Sequence, residues 1–172
     1  MASGSQKMSP LINCKLSVSP LAFRTYQPYV SPVMDIPQNI QDMIDDFSFL
    51  DDWEDRYMHV IELGKALEPL TDAERNPETK VNGCVSQVWL VRAVEDKNVL
   101  TFRGDSDAHI VKGLVAVVLT IFSGRTAQEI TDIDAAAILS GLGLEEHLTP
   151  QRSNGLHAMI ARIKRDAAQL LT

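Results

Sequence analysis

Cysteine is scarce in this 172-residue chain, which holds only Cys14 and Cys84. The two lie far apart, and neither belongs to a CxxC motif or to a Cys/His pair with metal-ligand spacing. We therefore expect no disulfide framework, and a reducing compartment fits the sequence better. A structural zinc site takes four Cys or His ligands and a cysteine-ligated iron–sulfur cluster four thiolates, so we predict no resident metal.

The chain also lacks a surplus of basic residues and a long apolar run. It carries 16 Lys and Arg against 23 Asp and Glu, a formal net charge of −7. Nucleic acids and anionic membranes attract clustered Lys and Arg, so we expect neither as the main partner. The most apolar stretch, residues 108–122, is shorter than the roughly 18 to 20 residues that a membrane span requires. A protein partner or a small molecule suits this chain better.

Acidic residues are absent from positions 1–33, where Ser and Pro are frequent and the only charges are Lys7, Lys15 and Arg24. This composition predicts a disordered or non-native leader, followed by one domain over residues 34–172. No apolar run follows a basic start, so a secretory signal is not expected. An organellar transit peptide would share the acid-poor, Ser-containing character. We predict a cytoplasmic protein, with an organellar location as the alternative.

Hydrophobic periodicity predicts an α+β fold with a small antiparallel sheet packed against several helices. Two β-prone runs with a polar connection predict a hairpin, and a marginal pair of strands needs a third that the sequence does not locate. The residues 108–122 are apolar on nearly every side, which predicts a buried central helix. The predicted helices are 37–47, 53–67, 108–122, short connectors between 126 and 143, and 156–170, and the predicted strands are 85–94 and 99–103.

Polar residues at helix-starting positions predict where some of these elements begin. Asp51 with Glu54 and Thr126 with Glu129 have the spacing of capping boxes. The segment 104–107 is predicted to end the second strand and to provide side chains that cap the central helix.

Cys84 lies on a Gly-containing loop just before a β-prone run. A free thiol has a pKa near 8.5, so a nearby cation is needed for reactivity at neutral pH. Lys80 is close in sequence, and Arg152 is a candidate through folding. A disulfide reductase needs a second thiol and a papain-like hydrolase an oriented base, neither of which the local sequence provides. Two interpretations stay open: an inert buried thiol, or a nucleophile in sulfur exchange.

Four segments carry a specific resemblance to a known family. They are Asn82-Gly83-Cys84-Val85-Ser86-Gln87-Val88-Trp89, Gly104-Asp105-Ser106-Asp107-Ala108, Ile110-Val111-Lys112-Gly113-Leu114, and His147-Leu148-Thr149-Pro150-Gln151-Arg152-Ser153-Asn154-Gly155-Leu156. In this order they make residues 34–172 resemble the SufE family of cysteine desulfuration proteins, which implies a SufE/NifU-like fold.

The resemblance implies a sulfurtransferase-type accessory protein. A SufS-type cysteine desulfurase would load persulfide sulfur onto Cys84 and be stimulated by this chain, which would then pass the sulfur to the SufBCD scaffold for iron–sulfur cluster assembly. The pyridoxal phosphate (PLP) would belong to the desulfurase, so no cofactor of this chain's own is expected. The resemblance leaves a homodimer open.

The resemblance also implies supporting residues around the acceptor cysteine. Gly83 would permit the turn of its loop, and Asp105, Ser106 and Asp107 would lie near the docking edge. Arg152 would order that edge or polarise the thiol, and Gln87 belongs to the same motif. Structural alternatives stand beside these roles, since the acids and Ser106 can cap a helix, Gln87 can satisfy backbone groups and Arg152 can pair with an acid.

Three other functions remain as alternatives. A CsdE-like paralogue would serve another desulfurase and another final acceptor. A scaffold resembling NifU-type proteins would hold a nascent cluster, although such sites need several thiolates where the predicted domain offers one. A redox sensor would use Cys84 as a peroxide-reactive thiol.

Overall fold

The computed structural model describes residues 36–172, and the predicted leader over residues 1–33 lies outside them. Two helices come first, α1 (Gln38–Ser48) and α2 (Trp53–Lys65). Helix α1 buries Ile40, Met43 and Phe47, the apolar spacing from which it was predicted. Helix α2 is capped by Asp52, whose side chain accepts a hydrogen bond from the Asp55 backbone N–H at 3.1 Å. The helix is therefore capped by Asp52 and not by the predicted pair of Asp51 and Glu54.

The sheet has three antiparallel strands in the order β1-β2-β3. Strands β1 (Val88–Val94) and β2 (Val99–Ser106) form the predicted hairpin, joined through a 3-10 turn at Asp96–Asn98. The third strand is β3 (Arg125–Thr126), which pairs with Val99 and Leu100. At two residues it is too short to show the alternation by which strands are recognised in a sequence.

Strand β1 begins later than predicted, and strand β2 ends later than predicted. Strand β1 starts at Val88 rather than at residue 85, because residues 82–87 form a loop. Strand β2 continues to Ser106, with Gly104 opposite Leu90 and Ser106 opposite Val88. A glycine and three polar residues resemble a strand end in sequence, yet the backbone of residues 104–106 completes the ladder with β1.

Helix α3 (His109–Phe122) is the centre of the fold, and 11 of its 14 residues are buried. It packs against α2, the sheet and the C-terminal helix, as the all-round apolar pattern predicts. Its N-cap residue, Ala108, makes no side-chain cap, and of the predicted capping segment 104–107 only Ser106 takes part: its Oγ accepts a hydrogen bond from the Ala108 N–H at 3.3 Å. The connectors are α4 (Ala127–Asp132), which has the predicted capping box of Thr126 and Glu129, and α5 (Ala135–Gly141).

The last helix, α6, runs over Pro150–Ala168 and follows a 3-10 turn at Glu145–His147. It begins at Pro150 and not at residue 156 as predicted. Pro is favoured in the first helical turn, where its missing N–H leaves no broken bond. This earlier start places Arg152 and Gly155 on a rigid helix beside the Cys84 loop.

The structure holds no helix, among residues 36–172, that is long and apolar enough to cross a bilayer. In the same part of the chain, no three His, Cys, Asp or Glu side chains converge as they would around a metal ion.

Candidate functional site

The Cys84 loop, residues 82–87, is closed at its base by backbone pairing. Lys80 pairs with Trp89 as an isolated antiparallel bridge. The Val81 N–H donates to the Val88 carbonyl at 2.9 Å, and the Leu90 N–H donates to the Thr79 carbonyl at 2.8 Å. The loop therefore leaves and rejoins the edge of the sheet at fixed points, with Cys84 near its tip.

Gly83 provides the sharp turn immediately before the cysteine. Its φ of +97° lies in the region that residues with a Cβ rarely adopt. A Cβ built on Gly83 would lie 3.4 Å from the Ala158 Cβ, so the loop rests against α6 at this point. The turn that the resemblance implies for Gly83 is present in the backbone.

The Cys84 side chain is half-buried against the same helix. Its Sγ lies 3.5 Å from the Gly155 carbonyl oxygen, to which the thiol can donate a weak hydrogen bond. A Cβ on Gly155 would come within 3.3 Å of that sulfur. The thiol fits against α6 because Gly155 has no side chain.

A cleft of about 190 Å³ opens beside the thiol, between the Cys84 loop and the first turns of α3 and α6. Most of the side chains that surround it are apolar. The cleft is lined by Cys84, Val85, Ser86, Ala108, Ile110, Val111, Leu114, Thr149, Gln151, Arg152, Gly155, Leu156 and Met159. Val85, next to the cysteine, is 79% exposed and presents an apolar surface at the loop tip.

Burial raises the pKa of the Cys84 thiol above its usual value. The apolar walls disfavour the charged thiolate, so the thiol is mainly protonated at neutral pH in this conformation. Arg152 lines the cleft together with Cys84, whereas Lys80 lies at the base of the loop. Of the two cations considered from the sequence, only Arg152 therefore shares the cleft with the thiol.

The far end of the loop is held by Ser106 and Asp107. The Gln87 backbone N–H donates to Asp107 Oδ1 at 2.9 Å, and Ser106 Oγ donates to the Gln87 carbonyl at 2.8 Å. These two side chains fix the loop to the start of α3. Gln87 takes part through its backbone N–H and carbonyl, and the residue as a whole is exposed.

Asp105 lies beneath the surface rather than at an exposed docking edge, with 3% of its area accessible. Its carboxylate accepts hydrogen bonds from Arg75 at 2.7 Å, from Lys112 at 3.1 Å and from the Leu70 N–H at 3.3 Å. Burial opposes its ionisation, but these bonds and one from the Ser106 N–H outweigh burial and hold the pKa of Asp105 below its usual value. Of the three residues expected at the edge, only Ser106 and Asp107 reach the surface.

Arg152 is partly exposed, and none of the carboxylates that the structure describes forms an ion pair with it. The alternative in which Arg152 pairs with an acid has no support in this part of the chain.

Gly155 and Val85 were not predicted as site residues, although both stand in the motifs. No signal marked Gly155, because the sequence predicts the helix only from residue 156 and a glycine just before it resembles a loop residue.

The comparisons with known proteins agree on one family. The family model for SufE, described as an Fe-S metabolism associated domain, matches residues 41–167. An uncharacterised SufE-like protein of Rhizobium meliloti is 58% identical over 132 residues, which cover 75% of this chain and 94% of that protein. A second one, from Rhizobium etli, is 55% identical over 132 residues, covering 75% and 89%.

A solved structure shares the fold. The solution structure of a hypothetical protein from Thermus thermophilus matches with a TM-score of 0.64 at 21% sequence identity. The match covers 79% of this chain and 98% of that one.

Proposed function

The chain belongs to the SufE family, a domain associated with Fe–S metabolism, and on that premise we propose that Cys84 accepts sulfur from a PLP-dependent cysteine desulfurase of the SufS type. The chain carries the sulfur as a persulfide, stimulates the desulfurase, and passes the sulfur to the SufBCD scaffold. The observation that carries this proposal is the position of Cys84. Its thiol lies on an anchored loop, beside an apolar cleft and next to the exposed Val85.

The transfer is an exchange between sulfur atoms. The Cys84 thiol loses its proton and its thiolate attacks the terminal sulfur of the donor's R–S–SH group. A new S–S bond forms at Cys84 while the bond between the donor's two sulfur atoms breaks. The donor leaves as a thiolate, which takes up the released proton. One S–S bond replaces another, so the step needs no oxidant or reductant.

Burial explains why this step depends on the partner. The raised pKa of Cys84 keeps the thiol protonated while it rests against Gly155. Contact with the desulfurase moves the loop tip away from α6 and exposes the thiol, which lowers its pKa and raises the thiolate fraction. Val85 supplies an apolar contact for the partner at that tip. The apolar cleft then shelters the persulfide from bulk solvent until the sulfur is passed on.

The test is persulfide formation on the intact protein. The chain is incubated with its cognate cysteine desulfurase and cysteine, and its mass is measured without reduction. We expect an increase of one sulfur atom on the wild type and on Cys14→Ser, which serves as the matched control, and no increase on Cys84→Ser. An adduct that persists in Cys84→Ser, or that is absent from the wild type, contradicts the proposal.

A further inference from the structure

A second groove lies next to the Cys84 loop, on an adjacent face of α6. Its volume is about 270 Å³, and it is lined by Lys80 and Asn82 from the loop side and by Ala158, Arg162 and Arg165 from the helix. The helix positions 158, 162 and 165 point roughly a quarter turn or more away from positions 152 and 156, which line the cleft of Cys84. One loop therefore forms a wall of both depressions.

The groove is positively charged, whereas the whole chain has a net charge of −7. Among the residues that the structure describes, three cations and no acidic side chain line it. Arg162 is held internally, because its Nε lies 3.1 Å from both carboxylate oxygens of Asp166 and its terminal nitrogen donates to the Glu78 carbonyl at 3.2 Å. Lys80 and Arg165 have no side-chain acceptor within the described part of the chain, so their charges face the groove without an internal partner.

We propose that this groove binds an acidic, carboxylate-bearing segment of the cysteine desulfurase that loads Cys84. The inference rests on the proposed function, because it identifies where that partner is held. Any protein that reaches the Cys84 thiol must cover the loop, and Gly83 in that loop lies against Ala158 on the wall of the groove. A carboxylate placed between Lys80 and Arg165 would keep the partner in register over Cys84 while burying little area. Charge complementarity of this kind mainly increases the association rate and fixes orientation.

The charge pattern favours an acidic protein over a nucleic acid as the occupant. A nucleic acid spreads its phosphates along its length and rewards many Lys and Arg contacts. The groove offers two free cations within an acidic chain, which suits a short cluster of carboxylates on a protein.

The test compares two doubly neutralised variants of the full chain. Lys80→Gln with Arg165→Gln removes the two free charges of the groove. Lys65→Gln with Lys97→Gln is the matched control, because it removes two positive charges at exposed positions that do not line the groove. Stimulation of the cognate desulfurase is titrated with each protein at low and at physiological salt.

For the groove variant, we expect the concentration at half-maximal stimulation to rise roughly three- to tenfold at low salt, the effect of two partly exposed ion pairs. Maximal stimulation should be unchanged because Cys84 is untouched. The difference from the wild type should shrink as salt screens the charges. The control variant should follow the wild type at both salt concentrations.

Two results overturn the inference. One is an unchanged half-maximal concentration in the groove variant. Binding of a fluorescent single-stranded RNA is measured in parallel, and a variant that loses only this binding would show that the groove serves a nucleic acid and not the desulfurase. The other is an equal rise in both variants, which would reflect net charge alone. Persulfide mass is measured on the wild type in the same reactions. Absence of the wild-type adduct refutes the proposed function, whereas an adduct with unaltered titrations refutes only the groove.

Discussion

The Cys84 thiol can rest against α6 because Gly155 has no Cβ at the point of contact. A Cβ at this position would lie 3.3 Å from Sγ, closer than most Cβ contacts in proteins. The loop tip is exposed and can move, whereas the helix backbone is rigid. The sulfur, rather than the helix, is therefore expected to shift when a side chain is added.

We predict that Gly155→Ala exposes the thiol and lowers its pKa toward that of a free cysteine. A lower pKa increases the thiolate fraction at neutral pH. The rate of alkylation by iodoacetamide should rise several-fold, and its pH midpoint should fall. The measurement is the alkylation rate as a function of pH.

Gly141→Ala is the matched control, because a Cβ there meets no atom within 4 Å. It should leave the rate and midpoint of alkylation unchanged. Alanine favours a helix over glycine by about 1 kcal/mol, so a general loosening of α6 is not the expected effect of Gly155→Ala. An unchanged midpoint in Gly155→Ala would show that Gly155 does not set the environment of the thiol.

The residue at the centre of the site could be predicted, but its setting could not. Composition isolates Cys84 as the one cysteine of the predicted domain, and the motif places it on a loop. Burial of the thiol depends on α6, whose start at Pro150 was missed because Asn154 and Gly155 resemble loop residues in sequence. The contact between Cys84 and Gly155 joins positions 71 apart, which local patterns do not report.

At the scale of elements, prediction succeeded where a pattern repeats over several turns. Helices α1, α2 and α3 show sustained apolar spacing and were found with small errors at their ends. Strand β3 was missed because two residues carry no period. Residues 85–87 were assigned to a strand from their β-prone neighbourhood, although they lie in a loop whose last residue, Gln87, is held by Ser106 and Asp107.

Helices α2 and α3 cross so closely that their backbones touch. A Cβ on Gly113 would lie 2.1 Å from the Val60 carbonyl oxygen, and one on Gly64 would lie 2.6 Å from the Gly113 nitrogen. The neighbouring atoms are backbone atoms, which cannot move aside as a flexible side chain can. The crossing therefore requires glycine on both helices.

We predict that Gly113→Ala destabilises the fold despite the helix propensity of alanine. Propensity favours the substitution by about 1 kcal/mol, whereas overpacking against a backbone costs typically about 1–3 kcal/mol and occasionally more. Because the contact is with backbone, we expect the upper end of this cost, about 3 kcal/mol. The propensity gain then leaves a net loss of about 2 kcal/mol in the free energy of unfolding, measured by urea denaturation. The control substitution Gly141→Ala should not lose stability. A gain of stability in Gly113→Ala would show that the helices are not in close contact.

At the scale of the whole molecule, Asp105 joins parts of the chain that are distant in sequence. Its carboxylate binds Arg75 and the Leu70 N–H from the segment after α2, and Lys112 from α3, while its own backbone completes β2. Arg75 also lies over the Trp89 ring of β1, at 5.9 Å from the ring centroid. One buried acid thus ties helix α3 and the segment after α2 to the sheet beneath the Cys84 loop. The sequence could not reveal this, because the partners of Asp105 are far apart along the chain.

The depressed pKa of Asp105 makes this tie dependent on pH. Its pKa in the folded chain lies below the value of about 3.9 in an unfolded chain. Ionised Asp105 therefore stabilises the fold fully above that value, and the stabilisation is lost as the pH falls through the folded pKa. Breaking a buried ion pair by removing one partner costs about 3–5 kcal/mol. Because Arg75 is partly exposed, we expect Asp105→Asn to lose roughly 2–3 kcal/mol at pH 7.

The test is the free energy of unfolding of the wild type and of Asp105→Asn, measured by urea denaturation from pH 7 into the acid range. The deficit of the variant should be constant down to about pH 4 and shrink below it, because only the wild type still has this carboxylate to protonate. Asp72→Asn is the matched control: Asp72 lies 3.5 Å from the same Arg75 but is fully exposed, so its loss should change stability little. A deficit that is equally large in strong acid would mean that Asp105 stabilises the fold through its shape and neutral hydrogen bonds rather than through its charge.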